Sequence, residues 1–143
     1  MRTLTVAVFV LGMLALVVAG CSSGPAATPT PSGVALGQSF QLEVGQSQSI
    51  SGEDLSLKLV AITADSRCPI GAECIQAGQA VAQVQVTSKG QVSTRELVET
   101  GLTQSMTTAE MGTYHLAFQI LPYPEVGKTI KPSDYRLVLT VTR

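Results

Sequence analysis

Hydrophobic and polar positions divide the chain into three stretches. From Leu4 to Ala19, sixteen residues run without a charge, fewer than the roughly 20 that a stable crossing of the bilayer takes. From Ser22 to Gly33, Pro, Ser, Thr and small residues leave nothing large enough to bury, a composition that stays extended and solvated. From Gln38 onward, apolar side chains recur at every second position, the signature of half-buried strands. Leu137, Leu139 and Val141 alternate with Val138, Thr140 and Thr142; Tyr114, Leu116, Phe118 and Ile120 alternate with His115, Ala117 and Gln119. Ala82, Val84 and Val86 do the same, and the longer run Leu55–Thr63 predicts a more central strand. Shorter strands are expected over Phe40–Val44, Ser47–Ile50 and Val92–Val98.

Turn chemistry separates these runs at Gly45-Gln46, Gly52-Glu53, Lys89-Gly90, Gly101, Gly112 and Gly127. The triplet Gly-Gln-Ser stands at 37–39 and again at 45–47, a hairpin-like spacing but not a repeat architecture. The one place for a helical turn is Thr107–Met111. About seven short strands of this kind predict an all-β fold, a small antiparallel sandwich or partly closed barrel. The longer links, Cys68–Gln79 and Pro122–Asp134, are where the chain is expected to cross between sheets.

Composition sharpens the picture. The 143 residues are 45% hydrophobic but only 13% charged, about half the usual charged fraction of roughly 25%. With a formal charge of −1 there is no basic footprint for nucleic acid and no like-charged tail. The apolar excess belongs to the first stretch. Beyond it, Phe40, Phe118, Tyr114, Tyr123 and Tyr135 are the only aromatics, a thin supply for a single core.

Arg2, the apolar run and the small residues Ala19 and Gly20 have the order of a secretory signal. Val18-Ala19-Gly20-Cys21 resembles the lipobox of bacterial lipoproteins. That resemblance implies cleavage between Gly20 and Cys21, a diacylglyceryl thioether on the Cys21 sulfur and acylation of the new amino group. The acyl chains would hold the protein to a lipid bilayer. Three segments follow: a signal peptide at 1–20, the lipidated cysteine and tether at 21–37, and a β-domain at 38–143. Cleavage removes one base, Arg2, and no acid, so the side-chain balance moves from −1 to −2. Ser22 is not the Asp that resembles an inner-membrane retention signal, so the expected address is the cell envelope: the outer membrane of a Gram-negative host, otherwise the outer face of the plasma membrane.

With Cys21 given to lipid, Cys68 and Cys74 remain, in an oxidising compartment. Pro69 and Gly71 help close the seven-residue loop between them, and a disulfide is expected. A zinc site wants four ligands, and the chain has one histidine. The redox motif has two residues between its cysteines rather than five.

The segment Asp65-Ser66-Arg67-Cys68-Pro69 followed by Cys74 resembles a pattern in small uncharacterised bacterial lipoproteins and secreted β-domains, with looser matches at Leu121–Pro124 and Asp134–Leu139. The chain departs from that pattern at Gln76, where Trp is usual, and at Gln79, where an acid is commoner. The resemblance brings with it no established activity. Read physically, Asp65 can cap the turn or pair with Arg67, which can also reach Glu73. The loop is then either a stapled corner or a rigid surface that presents Arg67 and Ile70 to a partner. Asp65, Arg67, Ile70 and Glu73 are the candidate interaction residues.

Catalytic constellations are not legible. His115, the sole histidine, alternates outward within a strand, and there is no nucleophile elbow, phosphate loop or His-Glu-x-x-His pair. Glu53 and Asp54 are adjacent and poorly placed for paired acid–base work. Asp65, Ser66 and Glu73 offer too few side chains for calcium. No catalytic, cofactor-binding or metal-ligating residue is nominated. The expected function is a non-enzymatic binding or scaffolding domain for an unknown envelope protein or ligand, and the alternative is inhibition of an envelope protease through the Cys68–Cys74 loop.

Overall fold

The computed structural model describes residues 33–100 and 105–143. The expected signal peptide at 1–20, Cys21 with residues 22–32 of the expected tether, and the expected turn at Gly101 lie outside the described residues.

Eight strands form: β1 (Ser39–Glu43), β2 (Ser47–Ser49), β3 (Leu55–Asp65), β4 (Gln79–Ser88), β5 (Gln91–Thr100), β6 (Thr107–Met111), β7 (Tyr114–Leu121) and β8 (Arg136–Thr142). They make two four-stranded antiparallel sheets, ordered β1-β8-β7-β6 and β2-β3-β4-β5. The all-β sandwich expected from the period-two pattern is therefore present. The same alternation that defines the strands fills the space between the sheets. Leu55, Leu57, Leu59, Ala82, Val84 and Val86 from one sheet meet Leu42, Leu116, Phe118, Ile120, Leu137, Leu139 and Val141 from the other. Each enclosed Leu, Ile, Val or Phe side chain contributes roughly 1.5–3 kcal/mol on burial.

Two expectations are corrected. Thr107–Met111 is a strand, not a helical turn: it pairs from Thr107 with Phe118 to Met111 with Tyr114. Ala, Glu and Met are good helix formers, but over five residues propensity is a weak prior that tertiary context overrides, and here the pairing with a neighbouring strand at hairpin distance decides. The long links do not cross between sheets either. The link from Asp65 to Gln79 joins neighbours β3 and β4, and the link from Leu121 to Arg136, which contains a 3-10 turn at Pro132–Asp134, joins neighbours β7 and β8. The chain changes sheet between β1 and β2 and between β5 and β6. The first change is a tight corner in which Gly45, at φ 88°, donates its N–H to the Leu59 carbonyl at 2.7 Å.

The registers define two ends of the sandwich. At one, Leu55 faces Ser88, Ser88 faces Gln91 and His115 faces Thr142; at the other, Asp65 faces Ala80, Gln79 faces Thr100 and Leu121 faces Arg136. The described chain starts at the first end. Val34 bridges Ile50, its N–H donating to the Ser49 carbonyl at 2.9 Å and its carbonyl accepting from Ser51 N–H at 2.8 Å. The Cys68–Cys74 loop occupies the second end.

Candidate functional site

The expected interaction residues all fall at the disulfide end, because β3 stops at Asp65 and the chain does not re-enter the sheet until Gln79. Between them the loop is tied across its base. Ser66 N–H donates to the Gln79 carbonyl at 2.7 Å and Cys68 N–H to the Ala77 carbonyl at 3.1 Å. Gly78 is required at this crossing: its φ is +68°, and a Cβ there would lie 1.8 Å from the Ser66 carbonyl oxygen. Cys68 and Cys74 form the expected disulfide, with Cα atoms 6.0 Å apart.

Arg67 does not stand in the solvent. Its side chain is fully enclosed, which corrects the expectation that the loop presents it to a partner. Asp65, the last residue of β3, and Glu99, the last but one of β5, both face Ala80 at the same corner of one sheet, and the Ile120 and Pro122 carbonyls lie opposite in the other layer. Together they form a pocket of acceptors that only a guanidinium satisfies. Nε and Nη2 of Arg67 donate to the two carboxylate oxygens of Asp65 at 2.9 and 2.7 Å. Nη1 donates to Glu99 Oε1 at 3.2 Å and to the Ile120 carbonyl at 2.6 Å, and Nη2 reaches the Pro122 carbonyl at 3.0 Å. All five N–H donors of the planar fork are used. The guanidinium also lies over the Tyr123 ring, 4.7 Å from its centroid. Glu99 completes the link between layers by accepting the Ile120 N–H on Oε2.

These neighbours move the titrations. Burial works to raise the Asp65 carboxyl, but the hydrogen bonds and charge of Arg67 outweigh it and hold the group below its usual value. Burial likewise opposes the Arg67 charge, and Asp65 with Glu99 restores and exceeds it. Tyr135, whose hydroxyl donates to Asp65 Oδ2 at 3.0 Å, is pushed up to about 12 by burial and by the adjacent carboxylate. Arg67 makes no use of Glu73, which is exposed on the loop.

Ile70 is exposed. Its N–H donates to the Pro124 carbonyl at 2.8 Å and its carbonyl accepts from Val126 N–H at 3.1 Å, so the disulfide loop is docked against the β7–β8 link. The side chains on either side of this seam stay outside: Ile70 is 47% exposed, Val126 61% and Ile75 fully so, at 105%. Two shallow clefts of about 490 and 500 Å³ flank Tyr123 beneath them.

The opposite end holds a larger cleft of about 570 Å³, with Leu55, Val86 and Met111 on its walls and Lys89 and Arg95 at its mouth. There Tyr114 donates its hydroxyl to Glu53 Oε2 at 2.7 Å, and Arg143 lies 3.1 Å from Glu53 Oε1. The Tyr114 hydrogen bond lowers the Glu53 carboxyl most; desolvation opposes it, and the charge and hydrogen bond of Arg143 add to the lowering. His115 is exposed, as its alternation implied, with Glu110 3.9 Å away. Among the described residues no three His, Cys, Asp or Glu side chains gather as metal ligands.

Sequence reasoning missed Glu99, Tyr123 and Tyr135 as partners of Arg67. One signal was available: Glu99 shares the inward parity of Leu97 on β5, and an acid on a buried face calls for a buried cation. Compared with family models, curated proteins and solved structures, the chain matches none.

Proposed function

We propose that the chain is an envelope lipoprotein, held to a bilayer through acylated Cys21, whose sandwich is a non-enzymatic binding or scaffolding module working through its disulfide end. Two features of different kinds support the reading. In the sequence it is Val18-Ala19-Gly20-Cys21 behind an uncharged apolar run. In the fold it is the distribution of exposed apolar side chains, which carries the choice of surface.

Scattered apolar residues on a surface are ordinary. Here, among the described residues, five of the eight large exposed ones, Val44, Ile70, Ile75, Met106 and Val126, lie in links at the disulfide end. The ionisable groups behind them are turned inward and consumed by one another, so the corner offers contact area rather than acid–base chemistry. Inhibition of a protease through residues 67–73 is the weaker reading, because the buried Arg67 leaves Ile70 as its principal presented side chain.

Two measurements test the proposal. Mass spectrometry of the mature protein is expected to show an acylated N-terminal Cys21 and no residues 1–20; an intact Met1 overturns the anchor. A photo-crosslinking amino acid at Ile75 is expected to capture an envelope component in living cells, whereas one at Val92, exposed at the other end, captures none. Equal labelling from both positions overturns the assignment of the surface.

A further inference from the structure

We infer that the surface received by the disulfide end is the lipid–water interface of the same membrane that holds Cys21. The domain folds down over its tether and sets Ile70, Ile75 and Val126 among the lipid headgroups. This rests on the anchor proposed above and names what the exposed corner touches.

The first argument is shape. The three side chains are protrusions, and Ile75 has no described neighbour covering it. Protein interfaces concentrate their energy in aromatic and Arg anchors that fill pockets. At this corner those residues face the wrong way: Arg67 is 3% exposed and Tyr123 8%, and Tyr135 bonds inward to Asp65. Separate aliphatic tips need a surface that deforms around each of them, and the headgroup–acyl boundary accepts apolar groups to a depth of roughly 5–10 Å.

Charge is the second argument. The ionic groups around the tips largely neutralise one another: Lys128 pairs with Glu125 at 2.6 Å and Arg136 with Glu43 at 3.3 Å. Lys131 lies on the same link, free of any ion pair among the described residues, and offers a cation to an anionic headgroup. Two acids oppose it, both reached by solvent: Glu73 on the disulfide loop and Asp134 on the same link, whose carboxylate accepts the Lys131 N–H at 3.3 Å, so the corner is close to neutral and the apolar tips, not charge, carry the docking.

Reach is the third. The described chain enters at the end opposite the tips, where Gly33 packs against Ser51. For the tips to meet the anchoring membrane, the tether must span the height of the sandwich. Twelve residues, 21–32, extend roughly 37 Å at about 3.1 Å per residue. Strand β3, Leu55–Asp65, runs roughly 33 Å. The extended tether is about as long as this strand, so docking draws it nearly straight, with the loops beyond Asp65 settling into the headgroups. Rigidity is the last requirement: the disulfide, the Ile70–Pro124 bond and the five-donor Arg67 clamp keep the tips from folding back onto the core.

The chain contains no Trp, so a single introduced Trp reports its own depth. Full-length acylated Ile75→Trp, Val126→Trp and Val92→Trp proteins are reconstituted into phosphatidylethanolamine–phosphatidylglycerol vesicles, and fluorescence quenching by brominated acyl chains is measured. Trp at 75 and at 126 is expected to be quenched at least about threefold more than Trp at 92, as an interfacial group would be. Deleting residues 24–32 is expected to bring the signal at 75 down toward that at 92, because the shortened tether no longer spans the domain. Ile70→Asp is expected to reduce quenching at 126. Equal quenching at all three positions overturns the inference. Red-shifted emission at 75 then means that the tip faces water, and blue-shifted emission that another protein copy covers it. The mass of Cys21 is read on the same samples, so a missing anchor is recognised separately from a failure to dock.

Discussion

Arg67 is the side chain on which the disulfide end depends, because among the described residues it is the only cation reaching two enclosed carboxylates and two backbone carbonyls. Removing one member of a buried ionic group costs more than the pair contributed, since the remaining charges stay desolvated. Arg67→Ala is therefore expected to lower unfolding free energy by about 3–5 kcal/mol, read as a shift in the urea midpoint. Arg67→Lys should fall between the two, because three donors on a point charge cannot replace a five-donor fork. The pH profile carries the same signature at both extremes. Asp65 is lowered on folding from its ordinary 3.8, so its contribution is complete above about pH 4 and is lost as pH falls through the lower folded value. Tyr135 is raised from 10 to about 12, so its bond to Asp65 is complete below pH 10 and is lost as pH rises toward 12. Asp65→Asn should flatten the acid limb and Tyr135→Phe the alkaline limb of stability measured against pH; unchanged limbs in both variants overturn the coupling. The Asp65–Arg67 pair was open to a local reading of the loop and is present at 2.7 Å; the Glu73 partner expected beside it is not used, and the rest of what holds Arg67 was not open to that reading. Its other partners lie 32, 53 and 55 residues away, and only the parity of Glu99 with Leu97 pointed toward them.

Strands were legible where one face is buried and the other wet. In β7 and β8 every second side chain is enclosed, and that asymmetry is written directly into the residue order. Strand β6 was not legible, because its alternation runs only between half-buried and exposed positions over five residues. Without a fully buried stripe, its identity comes from its pairing with β7. Link length misled for a different reason. The segment from Ser66 to Gly78 is long because it carries the disulfide and wraps Arg67, while the sheet changes use short connections such as the turn at Gly45. The disulfide is therefore an ornament on a hairpin rather than a strap between sheets, which bounds what it contributes. Closing a seven-residue loop restricts the unfolded chain by roughly 2 kcal/mol. Replacing Cys68 and Cys74 together by Ser is expected to cost about that much in urea unfolding and to leave both sheets intact by far-ultraviolet circular dichroism. Loss of sheet signal would mean that the loop organises the fold.

At the scale of the whole molecule, one continuous core joins the two ends. The buried cluster runs from Leu55 and Val86, beside the chain entry, to Ala80 and Ile120, beside the clamp, with residues of both sheets throughout. Strands of ten or eleven residues pass through it from end to end. Neither end has a core of its own, and a domain of this size with a single core unfolds in one cooperative step. Local interactions at the two ends should nonetheless be independent, since Leu55 and Asp65 terminate the same strand roughly 33 Å apart and share no partner. Leu55→Ala opens a cavity at one end, for which about 2–5 kcal/mol is the usual range; Arg67→Lys perturbs the clamp at the other. The double variant is expected to show the sum of the two single effects to within about 0.5 kcal/mol. Its transitions followed by tyrosine fluorescence and by far-ultraviolet circular dichroism should coincide. A larger coupling energy would mean that strain at the clamp is transmitted along β3 to the chain entry, and separated transitions would mean that the disulfide end melts as a unit of its own.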